Sequence, residues 1–459
     1  MSKGKVGIVS LGCAKNMVDS EVMLGLLHAA GYEITADPGQ AEVIIVNTCA
    51  FIGPAKKESI DTILEMARYK EEGRVRALLV AGCLTQRYPA QLAAELPEVD
   101  GFFGTNEVDK VVEVVEQTLG GERPVLTTRS PRFLYTEELP RVLSTPRATA
   151  YIKLAEGCNH PCTFCIIPRL RGRLRSRPLE SIVAEARRLV ENGAQELILI
   201  AQDTSAYGVD IYGEPRLADL LRQLDAIEGV RWIRILYTYP ASIADELLMA
   251  MAELPRVCKY VDLPLQHADD RVLARMRRRG SRAELEQLVA RIRERIPGVT
   301  LRSAFIVGFP GETDEEFASL ISFLREMEFD HTGIFTYSQE EGTPSARYPD
   351  QIPERVKRER RAEAMRVQQE ISYRRRLARV GEEVLVLLES EKSPRVLAGR
   401  TEGQAPEIDG NVLVRRPAGR GAAVAAARAE VQPGQFVRVR LTGARPYDYL
   451  GEVVDTTGS

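Results

Sequence analysis

The sequence predicts an α/β protein of three units: an N-terminal open parallel α/β sheet, a central partial β/α barrel, and a small antiparallel β-barrel at the C-terminus. Three observations predict this. Apolar strand-like runs alternate with helical patterns over residues 1–122, the mark of a parallel sheet covered on both faces. Six further strand–helix units follow in series from Ala148, short of the eight that close a full barrel. From Gly381 onward the pattern changes to five short strands punctuated by Gly and Pro, which argues a small barrel. A chain of 459 residues fits such a division at roughly 100–200 residues per domain.

In the first unit the strands are KVGIVS, AEVIIVNT and RALLVAG, with DSEVMLGLLHAAG and KESIDTILEMARY between them. In the second of these helical runs Ile60, Ile63, Leu64 and Ala67 recur on one face. Residues 123–143 show no sustained periodicity and read as a connector. The barrel strands are YIKLAE, ELILIAQ, WIRILY, KYVDLP, TLRSAFIVG and HTGIFTYS. Between them lie amphipathic stretches such as SIVAEARRLVENG, where Ile182, Ala186, Leu189 and Val190 share a face. Residues 354–379 form one helix with ten basic and four acidic residues, read as an exposed helix. The last five strands are EEVLVLLES, RVLAGRT, NVLVRR, QFVRVRLTG and YLGEVV. There is no internal repeat, and the Ala-rich stretch at 421–429 is too short to count as low complexity. The domain boundaries this implies are 1–122, 144–374 and 377–455.

Composition excludes several classes. No run of ~18 apolar residues exists, so no membrane partner is expected. MSKGKVGIVS passes straight into a strand without the apolar core of a signal peptide. The expected compartment is the cytoplasm. Net charge is −3, from 62 basic and 65 acidic residues, which argues against bulk nucleic-acid binding. Seven cysteines in a large cytosolic chain point to metal ligands or reactive thiols rather than disulfides.

Cys158, Cys162 and Cys165 form C-x3-C-x2-C in EGCNHPCTFCIIP, directly after the first barrel strand. That is the end of the strand where β/α barrels build active sites. Soft thiolates suit the irons of a cubane cluster, and three cysteines leave a fourth iron open for a small molecule. A zinc knuckle with His160 as fourth ligand is the alternative, but zinc sites usually show two ligand pairs and no second pair follows. Cys13, Cys49 and Cys83 each follow a predicted strand by one to three residues, spaced 36 and 34 residues apart. The carboxyl ends of parallel strands lie along one edge, so these three distant cysteines converge. Gly12 and Gly82 directly precede two of them, and glycine admits close approach of backbone to a bulky group. The alternative is three unrelated core cysteines. Cys258, without such a context, reads as core.

The triplet resembles that of the radical S-adenosylmethionine (SAM) superfamily, and the motifs in this order resemble the methylthiotransferase family over nearly the whole chain. The resemblance implies an N-terminal cluster domain, a radical SAM core and a TRAM barrel. It implies two 4Fe–4S clusters, one on Cys158, Cys162 and Cys165 with SAM chelated at the open iron, and one on Cys13, Cys49 and Cys83. One SAM would methylate a sulfur of the second cluster, and another would yield a 5′-deoxyadenosyl radical that abstracts hydrogen from an unactivated C–H bond. SLGCAKNMVDSE (10–21), VNTCAFI, CIIPRLRGRLRSRP and AQDTSAYG are similar to the branch that modifies an aspartate β-carbon of small-subunit ribosomal protein S-twelve, free or within the assembled subunit. The tRNA adenosine methylthiotransferases are the alternative. Eleven basic and eleven acidic residues from Arg379 onward weaken an RNA-gripping role for the last barrel. An external electron donor and a monomeric enzyme complete the expectation.

Further site candidates follow from barrel geometry. Gln202 and Asp203 end the second barrel strand and Gln266 and His267 the fourth, so all four should face the active site. Gly308 and Gly311 in IVGFPGET either let backbone approach SAM or simply make a β/α turn; the resemblance favours SAM. Cofactor contacts are therefore assigned to Gln202, Gln266, Gly308 and Gly311. No catalytic base is identifiable. Arg169, Arg171, Arg173, Arg175 and Arg177 alternate without an intervening acid and read as a solvated loop, with one or two held for a SAM or substrate carboxylate.

Overall fold

Strands apolar on both faces need cover on both sides, and the first unit meets that demand with a parallel sheet. The computed structural model describes residues 3–128, 130–131, 133–416 and 431–455; Met1, Ser2 and the Ala-rich stretch 421–429 lie outside the described residues. In the first unit β1 (Lys5–Ser10), β2 (Glu33–Ile34), β3 (Val43–Thr48), β4 (Ala77–Gly82), β5 (Gly101–Phe103) and β6 (Val125–Leu126) form one sheet in the order β2-β1-β3-β4-β5-β6, with parallel pairing throughout. Every residue of β3 and β4 is buried. Strand order reverses at β1, which opens a crevice between the carboxyl ends of β1 and β3.

The second unit begins with β7 (Thr149–Lys153), followed by the short antiparallel pair β8 (Ala155–Glu156) and β9 (Arg175–Ser176) that frames the cysteine loop. Next come β10 (Glu196–Ile200), β11 (Trp232–Ile235), β12 (Tyr260–Asp262), β13 (Thr300–Val307) and β14 (His331–Thr336). Parallel pairing runs β7-β10-β11 and β12-β13-β14, and Ile233 bridges the two groups by bonding Arg256 and Cys258. All six predicted barrel strands are present, in a partial barrel. Cys258 is buried in its core, as its isolation in the sequence suggested.

Helix Glu354–Leu377 corrects an expectation. It is not simply exposed: Ala364, Val367 and Ile371 join the core beside β14, and Lys357, Arg360 and Arg376 are buried with them. Its arginines serve as intramolecular donors. Arg374 bonds Glu328, Arg375 bonds Asp330 at 2.6 Å, and Arg376 bonds the Pro446 carbonyl at 2.8 Å. All three are therefore engaged within the chain.

The third unit is a closed barrel of β15 (Glu383–Ser393), β16 (Val396–Arg400), β17 (Val412–Arg415), β18 (Phe436–Ala444) and β19 (Tyr449–Asp455). It is antiparallel except for one pair, β17 with β19, which runs parallel. The barrel sits under the amino ends of the central strands. Glu196, the first residue of β10, is fully buried between Arg400 of β16 (2.6 Å) and Arg234 of β11 (2.8 Å). Residues 401–411 reach into the same end: His331 meets the Gly403 carbonyl at 2.9 Å, and the Tyr260 hydroxyl donates to Asp409 at 2.7 Å. Trp232 and Phe436 close the contact edge to face. Among the described residues no helix is long and apolar enough to cross a membrane.

Although burial pushes the Glu196 carboxyl up, Arg400 and Arg234 hold it down to about 2, against an ordinary 4.5. Its contribution to stability is therefore present above pH 4.5 and lost as pH falls toward 2. Glu196→Gln should cost about 3–5 kcal/mol at pH 7, because two guanidiniums lose their buried anion. In urea unfolding the variant should also lose less stability than the wild type between those pH values; an equal loss would contradict the assignment.

Candidate active site

Three cysteines converge at the carboxyl edge of the first sheet because one asparagine gathers their loops. Cys13 caps helix Ala14–Ala29 after β1, Cys49 follows β3, and Cys83 opens helix Cys83–Arg87 after β4. Asn16, one turn into the first helix, donates to the Leu11 carbonyl at 3.1 Å and to the Thr48 carbonyl at 2.8 Å. Its Oδ1 takes the Cys83 thiol at 3.8 Å. Gly12 holds a left-handed φ of 91°, and a Cβ there would stand 2.7 Å from the Cys49 Cβ. At Gly82, with φ 92°, a Cβ would stand 2.3 Å from the Asn47 side chain. A side chain at either position would push the cysteine loops apart.

Cys158, Cys162 and Cys165 lie on the loop between β8 and β9. The Cys158 amide donates to the Gly172 carbonyl at 3.1 Å and the Cys165 amide to the Cys162 carbonyl at 3.2 Å. Arg278 approaches the Cys162 sulfur at 3.9 Å and stacks over Tyr239. His160 is turned to other work: its Nε2 bonds Asp203 at 2.6 Å and its ring stacks on Tyr239. That engagement removes support for a His160 zinc knuckle.

Charge in the site is strongly position-dependent. Burial pushes the thiols of Cys83 and Cys165 up to about 12 and that of Cys158 up to about 11. Cys13 differs: burial raises it, but the Lys15 ammonium and Arg171 guanidinium outweigh burial and hold it below its ordinary value. Cys49 feels the charge of Cys13, Cys83 that of both Cys49 and Cys13, and Cys158 and Cys165 that of Cys162. Cys83 is buried, Cys13 exposed and the other four half-buried, and among the described residues no three are grouped tightly enough to hold a single metal ion.

A buried ionic network joins the two sets. Arg171 donates to both oxygens of Glu156 at 3.0 Å, to Asp19 at 2.9 Å and to Asn16 at 2.8 Å, and it reaches the Cys83 sulfur at 3.8 Å. Lys153 bonds both Asp19 and Glu156, and Tyr135 donates to Asp19. Burial opposes the Glu156 charge, yet Arg171 and Lys153 hold its carboxyl down to about 2. Glu156 stands two residues before Cys158, so one network abuts both cysteine loops.

The remaining candidates divide. Gln202 donates to Glu156 at 3.4 Å and stands inside this arrangement. Gln266 closes a parallel bridge with Phe305 at the end of β12, holding a left-handed φ of 76°. Gly308 packs against Lys357, whose stem fills the space a Cβ would take, and Gly311 borders Arg275. Asp203 is committed to Ser205, Ser242 and His160. His267 does not face the thiols; it is fully buried, its Nδ1 capping Asp269 and its Nε2 3.5 Å from Glu312. The arginine run also corrects the solvated-loop reading. Arg171 and Arg177 are buried and paired, Arg177 with Glu185 at 2.5 Å, Arg175 is half-buried, and Arg169 and Arg173 are exposed. Asn16, Asp19 and Glu156 were missed. A cue existed in the first two, since an Asn and an Asp inside a helix directly after a cysteine are poor helix formers.

Known proteins resemble this chain unit by unit and end to end. A model of the radical SAM superfamily matches residues 152–324, one of the Uncharacterized protein family UPF0004 matches 5–104, and one of the TRAM domain matches 380–454. The ribosomal protein uS12 methylthiotransferase RimO of Heliobacterium modesticaldum is 53% identical over 454 residues, covering 99% of this chain and 96% of that one. Its counterpart in Pelotomaculum thermopropionicum is 52% identical over 98% and 99% of the two chains, and that of Geobacter sulfurreducens 50% over 99% of each. Among solved structures, the radical SAM methyltransferase TsrM from Kitasatospora setae, with tryptophan and a SAM analogue bound, superposes with a TM-score of 0.53 at 15% identity over 72% of this chain and 73% of its own, a likeness of fold.

Arg171→Met should lower the unfolding free energy of the metal-free protein by about 3–5 kcal/mol, since Asp19 and Glu156 would lose a buried cation. Chemical denaturation measures this. A change within about 0.5 kcal/mol, as at an ordinary surface site, would sink the network's structural role.

Proposed function

This chain belongs to the RimO family of ribosomal protein uS12 methylthiotransferases, radical SAM transferases, and we propose that it holds two 4Fe–4S clusters and modifies the β-carbon of a uS12 aspartate. Cys158, Cys162 and Cys165 would bind the cluster that takes SAM; Cys13, Cys49 and Cys83 would bind the second. The donor sets fit in their chemistry: each gives three soft thiols, the ligands iron–sulfur clusters require, with Cys83 buried, Cys13 exposed and the other four half-buried. When bound, the first cluster supplies the electron that cleaves SAM, and the second holds the sulfur to be transferred.

The protein's own part is orientation and exclusion of water. The observation that carries the reading is the single buried network of Asp19, Arg171, Glu156 and Lys153, which fixes both cysteine loops to each other. A carbon between the loops can then meet both sources without moving far. The strand ends bearing Gln202, Gln266, Gly308 and Gly311 are the SAM contacts of this proposal. Residues 1–122, 144–374 and 377–455 are its auxiliary-cluster, radical SAM and TRAM domains. It takes the enzyme as a cytoplasmic monomer reduced by an external donor, acting on uS12 free or within the small subunit. The tRNA-modifying alternative has less support, because the relatives at about half identity bear the uS12 name.

The anaerobic, iron-loaded enzyme with SAM, reductant and uS12 should add the mass of one CH2S to an aspartate. Cys13→Ala should abolish that gain while still releasing 5′-deoxyadenosine, and Cys158→Ala should abolish both. Iron analysis should give about eight irons in the wild type and about four when Cys13, Cys49 and Cys83 are all alanine. Modified tRNA with unmodified uS12 would overturn the proposal.

A further inference from the structure

Among the described residues Lys15 is the buried cation at this site that has no carboxylate partner. Its side chain is 8% exposed. Its Nζ sits 3.1 Å from the centroid of the Tyr237 ring and 3.5 Å from the Ala201 carbonyl. Among the described residues no carboxylate oxygen lies within 4 Å of it, whereas Lys153, Arg171, Arg177, Arg234 and Arg400 all have one. The acid whose charge Lys15 feels most is the Cys13 thiol, which the proposed cluster would take; the next two, both carboxylates, are already committed. Glu156 serves Lys153 and Arg171, and Asp262 serves Arg302 at 2.7 Å and the Tyr237 amide at 2.9 Å. A buried ammonium without a carboxylate partner is costly, and a carboxylate brought in from outside would offset that cost.

Position says where that anion comes from. Lys15 leaves the N-terminal unit two residues after Cys13, yet its Nζ lies across the interface, beside the residue that precedes Gln202 and on the ring that follows β11. Arg171 and Arg278 come within 4 Å of cysteine sulfurs; Lys15 bonds Cys13 through its backbone amide, while its Nζ makes no such hydrogen bond among the described residues. The Nζ therefore sits between the Cys13 loop that carries it and the carboxyl ends of β10 and β11, on the side of the central unit from which the second cysteine loop also leaves. Tyr237 itself holds a left-handed φ of 64°, a costly conformation for a tyrosine, and this sets its ring under the ammonium. An aspartate whose β-carbon reacts in that space brings a carboxylate one bond from the reacting atom.

We infer that Lys15, seated on the Tyr237 ring, binds the carboxylate of the substrate aspartate and so selects aspartate over asparagine. The inference rests on the proposed uS12 reaction. It makes Lys15 a specificity-determining residue, and the salt bridge would form only when substrate enters.

The test measures equilibrium binding of the iron-loaded enzyme to uS12 bearing either the target aspartate or asparagine in its place, without reductant. Wild type should bind the aspartate form roughly 10- to 100-fold more tightly, the worth of a charged hydrogen bond. Lys15→Gln should bring the two forms within about twofold at unchanged iron content, and Lys15→Arg should restore part of the preference. Turnover should show the loss in KM for the aspartate form. Wild type that discriminates alongside Lys15→Gln that discriminates equally would overturn the inference and leave the uS12 reading intact. Loss of iron in both variants would reassign Lys15 to cluster assembly and overturn it too. Wild type that binds neither form of uS12, alone or in the subunit, would remove the reading on which it rests.

Discussion

Two units that each carry a cysteine loop are tied together because four charged side chains cannot be buried separately. Asp19 belongs to the first helix, Lys153 and Glu156 to the start of the central barrel, and Arg171 to the end of the cysteine loop. Alone, each would carry a desolvation cost of several kcal/mol. Together they satisfy one another, and the geometry that satisfies them ties the helix after Cys13 to the segments on either side of the second cysteine loop. The same constraint explains why the helix after Cys13 buries Asn16 and Asp19, while Ser20 bonds Ser10 and Asn47, and Glu21 pairs with Arg141.

Much of the architecture was legible in the sequence because parallel strands announce themselves as continuous apolar runs. KVGIVS, AEVIIVNT and RALLVAG became β1, β3 and β4, and the six barrel runs became six strands in order. The cysteines were legible for a related reason: a residue just beyond a parallel strand has little choice of edge. Side-chain pairing was not legible. Arg171 and Arg173 look alike in RLRGRLRSRP, and only the alternation of the loop's path buries one and exposes the other. The helix at 354–377 misled for the opposite reason, since its charged majority hid an apolar strip of Ala364, Val367 and Ile371.

The two ends of the central barrel are handled differently. At the carboxyl end the residues leave a buried cation and left-handed backbone at Tyr237 and Gln266, conformations that a fold retains only where the surroundings hold them. At the amino end Glu196 is matched by two arginines, and residues 401–411 fill the remaining space. Strain gathers where chemistry is proposed, and saturation of charge gathers where the third unit attaches.

The shared ionic network also bears on how such a chain can be taken apart. Lifting out the first unit removes Asp19 and leaves Lys153 and Arg171 facing Glu156 alone, a net positive charge on a freshly exposed apolar seam. Lifting out the central unit strands Asp19 instead. Neither piece is therefore a free-standing cassette, and recombination between distant relatives would have to exchange both pieces together or replace the four charges as a set.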